Sequence, residues 1–204
     1  MTLYDLKPRF QALLRPLTGW LFVRGVTANM VTLAAAAGSV LLGLALFALS
    51  HAHPGLYLLV PLWLFARMAL NAIDGMLARE HGQKSSLGAY LNEVADVVSD
   101  AALYLPFALV QPFSPALVVV VVLLAVVSEM AGALGPMVGA SRRYDGPLGK
   151  SDRALLFGAL GLWAGIAGAL PPLAAHLMTL AAVLLAVTIA NRVRRGVAEA
   201  AAKP

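Results

Sequence analysis

Six apolar stretches, each close to the length of a bilayer-crossing helix, constrain this chain more than any other feature. They run from Asn29 to Ser50, Leu56 to Ala78, Leu87 to Val110, Pro115 to Ala140, Arg153 to Leu170 and Leu173 to Ala190. At about 1.5 Å of rise per residue, roughly 20 residues cross the hydrocarbon core of a membrane. Lipid offers no partners to backbone N–H and C=O groups, so spans of this kind close their hydrogen bonds internally as helices. The expected fold is therefore all-α: a polytopic membrane protein with six transmembrane helices. The breaks carry turn chemistry, at His53-Pro54-Gly55, from His81 to Ser86, at Gln111-Pro112 and at Pro171-Pro172. Composition agrees, since 60% of the 204 residues are hydrophobic and only 12% are charged. A soluble domain carries about twice that charge fraction.

The basic residues set the orientation. All of the 15 Lys and Arg except Arg67 fall in the N-terminal segment, the second and fourth connections, and the C-terminal segment. The other three connections hold none. Basic loops stay on the cytoplasmic side, which predicts six spans with both termini cytoplasmic. Before the first span, Leu3, Leu6, Phe10, Leu13, Leu14 and Leu17 recur at helical spacing among Asp5, Lys7, Arg9 and Arg15. This predicts an amphipathic helix lying in the interface rather than a signal peptide. The expected organisation is an interfacial segment at 1–28, a six-helix domain at 29–192 and a basic cytoplasmic tail at 193–204. The net charge of +5 suits anionic lipid, and no basic patch is interleaved with aromatics as nucleic-acid binding needs. With no cysteine, disulfides, thiolate metal sites and cysteine nucleophiles are excluded.

Ionisable residues inside spans are expensive and mark function by default. Here they concentrate in two neighbouring segments. The second stretch ends with Arg67, Asn71, Asp74, Gly75, Ala78 and Arg79; the third begins with Gly88, Asn92, Glu93, Asp96 and Asp100. On helices, Asn71, Asp74 and Ala78 share one face, and Asn92, Asp96 and Asp100 stack at successive turns. Asp74 lies about 7 Å inside Arg79 and Asp96 about 12 Å inside Gly88, so the two polar faces meet at similar depth in antiparallel neighbours. Carboxylate and amide oxygens converging there suit a hard divalent cation such as Mg²⁺, which leaves positions for phosphate oxygens. Gly75 and Ala78 either let a ligand approach or serve helix packing.

These residues resemble the signature of the CDP-alcohol phosphotransferase family, D-x2-D-G-x2-A-R-x8-G-x3-D-x3-D. The sequence reads N-x2-D-G-x2-A-R-x8-G-x3-N-x3-D through Asn71, Asp74, Gly75, Ala78, Arg79, Gly88, Asn92 and Asp96, with every spacing kept. Asn29-Met-Val-Thr32 resembles the family's Asn-x-x-Thr entry to the first span. The resemblance implies an enzyme that moves a phosphatidyl-type group from CDP-diacylglycerol, or a related CDP-linked lipid donor, to a small alcohol or phosphorylated alcohol, releasing CMP. It implies one or two Mg²⁺ or Mn²⁺ ions held by Asn71, Asp74, Asn92, Asp96 and Asp100, with Asp96 also the catalytic base. Asn29, Thr32, Gly75, Ala78, Arg79 and Gly88 would line the CDP site. The implied setting is a bacterial-type inner membrane with the active site cytoplasmic, membrane lipids around it, and a homodimer as the assembly.

The sequence departs from the pattern at Asn71 and Asn92, which stand where the family has aspartates, as in one branch of it. Two such changes take the formal charge of a four-ligand site from −4 to −2, and an amide oxygen coordinates without charge. A catalytically impaired paralogue that binds lipid or CDP-nucleotide without turnover is the alternative function. A proton-coupled transporter would also use intramembrane carboxylates, although the full motif argues against one. Elsewhere, Arg142, Arg143, Lys150 and Arg153 either contact an acceptor or lipid phosphate, as the resemblance implies, or follow the positive-inside rule. Glu129 either faces the cavity or bonds a neighbouring helix. Arg67 either bonds to the cluster or snorkels. His51, His53, His81 and His176 show no ligand spacing.

Overall fold

The computed structural model describes residues 3–202, with side chains from residue 8 onward. The side chains of Leu3, Asp5, Leu6 and Lys7, and all of Lys203, lie outside the described residues. Among the described residues the chain is helical throughout, without a strand. Its α-helices are α1 (Leu3–Val23), α2 (Ala28–Leu49), α3 (Leu59–Glu80), α4 (Ser86–Tyr104), α5 (Pro115–Ala133), α6 (Lys150–Ala167) and α7 (Ala175–Ala201). Short 3-10 turns at Pro54–Leu58 and Pro172–Ala174 lead into α3 and α7. Among the described residues, four helices are long and apolar enough to cross a membrane: Ala28–Leu49, Pro54–Glu80, Pro115–Ala133 and Pro172–Ala201. α4 and α6 differ from these in charge. Glu93, Asp96 and Asp100 interrupt the first, and Lys150, Asp152 and Arg153 the second.

Among the expected boundaries that shift, those of α5 and α7 have a local reason. The fourth apolar stretch reads on to Ala140, yet α5 stops at Ala133. Pro136 has no N–H to give the Gly132 carbonyl and its ring clashes there, so the helix breaks. That carbonyl accepts from the Arg143 N–H instead, at 3.1 Å. α7, by contrast, continues past Ala190 and through the basic segment to Ala201. Its inner face there has partners, because Leu185, Thr188, Arg192 and Gly196 are all buried.

The chain divides into two compact units, Met1–Leu41 with Trp63–Ser99, and Leu42–Leu62 with Asp100–Pro204. In the first, caps fix where the helices start. Thr27 Oγ1 accepts from the Met30 N–H at 3.2 Å, and Ser85 Oγ from the Gly88 N–H at 3.0 Å. The Gln83 side chain accepts from the Ala28 N–H at 2.7 Å, tying the start of α2 to the turn after α3. Gly82 enables that turn, with φ +67 that a side-chain-bearing residue resists. Ala28, Val31, Ile73, Met76 and Leu77 form the core, with Leu14 and Leu21 of α1 packed on it. Away from that core, α1 exposes Leu13, Trp20 and Val23.

In the second unit, small residues let backbones approach, which is how helices associate without a hydrophobic driving force. A Cβ at Gly161 would lie 2.9 Å from Val60 Cβ and 3.0 Å from the Tyr57 carbonyl oxygen. Around this contact Tyr57, Phe107, Phe157 and Tyr104 form a buried aromatic stack. The Tyr57 hydroxyl is satisfied by the Pro106 carbonyl at 2.7 Å. α5 lies against α7, and that pairing carries the polar cluster described below.

Candidate active site

Within the first unit, helix periodicity on α3 turns Arg67, Asn71 and Asp74 to one side, and Asp96 of α4 meets the first two. Asp96 Oδ1 accepts from Asn71 Nδ2 at 3.2 Å and from Arg67 Nη2 at 3.1 Å. Arg67 Nη2 also donates to the Asp96 backbone carbonyl at 3.0 Å. Arg67 is buried, with 4% of its side chain exposed, whereas Asp96 keeps 18%. Of the two readings of Arg67, the bond to the cluster is the one observed. Asp74 is buried on α3, and its Oδ2 takes a hydrogen bond from Thr32 Oγ1 of α2 at 2.7 Å. Thr32 Oγ1 lies 3.1 Å from the Ala28 carbonyl as well, so its single proton is directed between two acceptors.

The small residues divide between two roles. Ala78 packs on the apolar core beside Leu77. At Gly75, the atoms nearest to an added Cβ all belong to the Arg79 guanidinium, beginning at 2.9 Å. Arg79, exposed at the end of α3, therefore folds its charge over a surface that only glycine leaves bare. Gly88 is approached in the same way by Asn29, whose Oδ1 would lie 2.9 Å from a Cβ there. Asn92 and Glu93 are half-buried on α4, one turn before Asp96.

Among the described residues no three His, Asp or Glu side chains converge as a ready-made metal cage. The donor chemistry nevertheless fits one hard divalent cation. Magnesium-like ions bind through one or two carboxylates and complete their shell with water and phosphate oxygens. Asp74 and Asp96 would offer the carboxylates to such an ion, and Asn71 and Asn92 amide oxygens. The Arg67 guanidinium on Asp96 and the missing charges at 71 and 92 leave little negative charge for a second ion.

Asp100 and the expected acceptor-binding residues belong to the second unit. There Arg153 Nη2 lies 3.0 Å from Asp100 Oδ2 and 2.9 Å from Glu129 Oε1. Its side chain is 1% exposed. Arg192 Nη1 approaches the same Glu129 Oε1 at 3.3 Å and also donates to the Ser128 carbonyl. Arg142 Nη2 reaches Glu129 Oε2 at 3.4 Å, and its guanidinium lies over the Tyr144 ring. Arg143 pairs with Asp145 at 2.7 Å and with Glu199. Asp145 also receives Arg195 at 2.6 Å. Burial pushes the Asp145 carboxyl up, but the hydrogen bonds from Arg195 and Arg143 outweigh it and hold it below the ordinary range. Lys150 is half-buried at the first turn of α6, whose start is capped by Asp152 Oδ2 on the Gly149 N–H at 2.9 Å. Arg192 is the residue that sequence reasoning missed, having been taken as part of a topology-setting basic end. Its signal was its place four residues after Thr188 on an otherwise apolar helix face.

Comparison with known proteins bears on both regions. The chain is 50% identical over 198 residues to the inner membrane protein YnbA of Escherichia coli K12, covering 95% of this chain and 96% of that one. It is 29% identical over 188 residues to a phosphatidylinositol phosphate synthase of Mycobacteroides abscessus, covering 90% and 83%. The fold matches the Mycobacterium tuberculosis phosphatidylinositol phosphate synthase, solved with manganese and citrate, with a TM-score of 0.72 at 23% identity over 89% of this chain and 87% of that one. The same enzyme solved with CDP-DAG bound matches with a TM-score of 0.72 over 89% and 92%. The family model for CDP-alcohol phosphatidyltransferases matches residues 25–193, and to that family this chain belongs.

Proposed function

We propose that this chain transfers a phosphatidyl-type group from CDP-diacylglycerol, or a closely related CDP-linked lipid, to a small alcohol with release of CMP. Support comes chiefly from one contact: Asn71 Nδ2 and Asp96 Oδ1 at 3.2 Å bring the α3 and α4 halves of the motif together, with Asp74 one turn away. In the reaction, the acceptor hydroxyl attacks the phosphorus that carries the diacylglycerol. The bond from that phosphorus to the CMP oxygen breaks, and the hydroxyl proton passes to the Asp96 carboxylate. Arg67 and Asn71 hold Asp96 in place for this step, and Thr32 holds Asp74. Asp74 and Asp96, with the amide oxygens of Asn71 and Asn92, would hold Mg²⁺ or Mn²⁺, which neutralises pyrophosphate charge when bound. Arg79, folded over Gly75, would meet a donor phosphate, with Asn29 and Gly88 also contributing to the CDP site.

The membrane reading takes α2 to α7 as six spans with both termini cytoplasmic and α1 in the interface. The charge pattern of the connections supports it, and a homodimer in the inner membrane is part of it. Cysteine-accessibility labelling of the connections tests the topology. Purified full-length protein given CDP-diacylglycerol, Mg²⁺ or Mn²⁺ and an acceptor panel should release CMP. Asp74→Ala and Asp96→Ala should abolish the release, and retained turnover in either would remove that residue from its role. A second reading, a relative that binds CDP-nucleotide without turnover, is favoured by the amides at 71 and 92. Its signature is nucleotide binding with no CMP released by any acceptor.

A further inference from the structure

The motif spanning α3 and α4 leaves the eight positions between Arg79 and Gly88 unspecified, and Gln83 is one of them. Gly82, at φ +67, makes the turn just before it. The Gln83 side-chain oxygen accepts from the Ala28 N–H at 2.7 Å. That N–H lies in the first turn of α2, where no intrahelical carbonyl can serve it, and Ala28 is buried. A buried donor left unmet costs its full desolvation, so the partner at position 83 matters. From Ala28 the contacts continue to Asp74. The Ala28 carbonyl faces Thr32 Oγ1 at 3.1 Å, and the same hydroxyl lies 2.7 Å from Asp74 Oδ2. Thr32 and Asp74 are both buried. Residue 28 is thus held at both of its backbone polar groups, by the turn on one side and by Thr32 on the other. Ser85 of the same turn caps α4 through the Gly88 N–H at 3.0 Å, so one short connection indexes α2 and α4 together.

We infer that Gln83 is a positioning residue, which sets the start of α2 against the α3–α4 turn and, through Ala28 and Thr32, orients the Asp74 carboxylate. The inference rests on the transferase reading for what Asp74 does, which is to hold a divalent ion. The run of bonds from Gln83 to Asp74 stands independently of it. Thr32 has one hydroxyl proton and two acceptors, the Ala28 carbonyl and Asp74. Which of them receives it depends on where the first turn of α2 stands. Loss of the Gln83 oxygen frees that turn, and ligand geometry tolerates displacements of only about 0.5 Å. The effect of position 83 on Asp74 is therefore carried by the Thr32 hydroxyl, and it disappears when that hydroxyl is absent.

The test is a double-mutant cycle on full-length protein in detergent, with Mn²⁺ as the probe. Gln83→Met, Thr32→Val and the double variant are compared with wild type for thermal protection by Mn²⁺ and for the Mn²⁺ dependence of CMP release. Thr32→Val should weaken apparent Mn²⁺ affinity by about tenfold or more, and Gln83→Met by at least about threefold, with the rate at saturating Mn²⁺ largely kept. The double variant should bind no more weakly than Thr32→Val alone, because both changes act through one hydroxyl. Gln83→Glu should rescue the loss, since it offers the same acceptor and the helix N-terminus favours its charge. Additive losses overturn the inference. So does a fall in thermal stability with Mn²⁺ affinity unchanged, which reduces Gln83 to a helix cap. If no acceptor supports CMP release, the transferase reading fails and Mn²⁺ protection still decides this one, a wild type that Mn²⁺ does not protect counting against it. Gln83→Asn, one methylene shorter, replaces Gln83→Met if that variant does not fold.

Discussion

Two polar clusters sit inside the helices of this protein, and they handle charge in opposite ways. At Asp96 one guanidinium and one amide hold a carboxylate that remains partly open. At Glu129 three guanidiniums close over a carboxylate that is nearly sealed. The first carboxylate keeps 18% of its side chain exposed, as the proposed reaction would require. The second spends its capacity internally, and its worth lies in holding α4, α5, α6 and α7 residues to one another. Buried ionisable groups are thus not equivalent, and what distinguishes these two carboxylates is how far each is sealed, at 18% and 8% exposure.

Substitutions can break that contrast. Asp96→Asn keeps a hydrogen-bond acceptor for Arg67 but removes the proton acceptor, so CMP release should fall by about 10²–10⁴-fold with thermal stability little changed. Asp74→Asn should behave similarly, and an effect confined to stability would place Asp74 with the structural cluster instead. Arg153→Met should do the reverse. Removing the guanidinium shared by Asp100 and Glu129 leaves buried charge short of its partner, at a cost of about 3–5 kcal/mol. Thermal unfolding in detergent reads that loss, and any activity lost should follow the folded fraction.

A milder change sharpens the comparison. Asn71→Asp puts a second carboxylate where Nδ2 now lies 3.2 Å from Asp96 Oδ1. Like charges at that distance repel, so the variant should be less stable without divalent metal and should bind Mn²⁺ several-fold more tightly, as about one added ligand charge implies. Metal titration by thermal shift measures both. The smallest effect is expected at Asp145, whose carboxyl is held low by Arg195 and Arg143 after burial has pushed it up. A depressed carboxyl contributes stability that is present above its unfolded value, near 3.9, and lost as pH falls through the lower folded value. The 139–149 loop should therefore become more protease-sensitive only below about pH 4, and Asp145→Asn should remove that dependence.

The contact of Asn71 with Asp96 was legible in the sequence because local geometry carries it. Asn71 and Asp74 are three residues apart on one helix, and the short turn at His81–Ser86 forces α4 back beside α3. The same spacing logic located Asp96. It did not distinguish a bond from snorkelling for Arg67, because the partner is 29 residues away on another helix. The Glu129 cluster was out of reach for the same reason, with Arg153 24 residues away and Arg192 on yet another helix. Basic residues at the end of a last span are ordinarily read as topology signals, and this obscured Arg192. Charge alone does not separate a residue that faces headgroups from one that turns inward. That depends on which helix lies opposite, and a single sequence does not state it.

The Arg79 side chain lying over Gly75 has a consequence for where charge rests on that surface. The atoms nearest to a Cβ at position 75 are all guanidinium atoms, beginning at 2.9 Å. An alanine there would push aside the far end of a flexible side chain and meet no backbone. What glycine provides is room for a cation to lie flat against its own helix, and in the proposed transferase that cation would already be in place when a donor phosphate arrives.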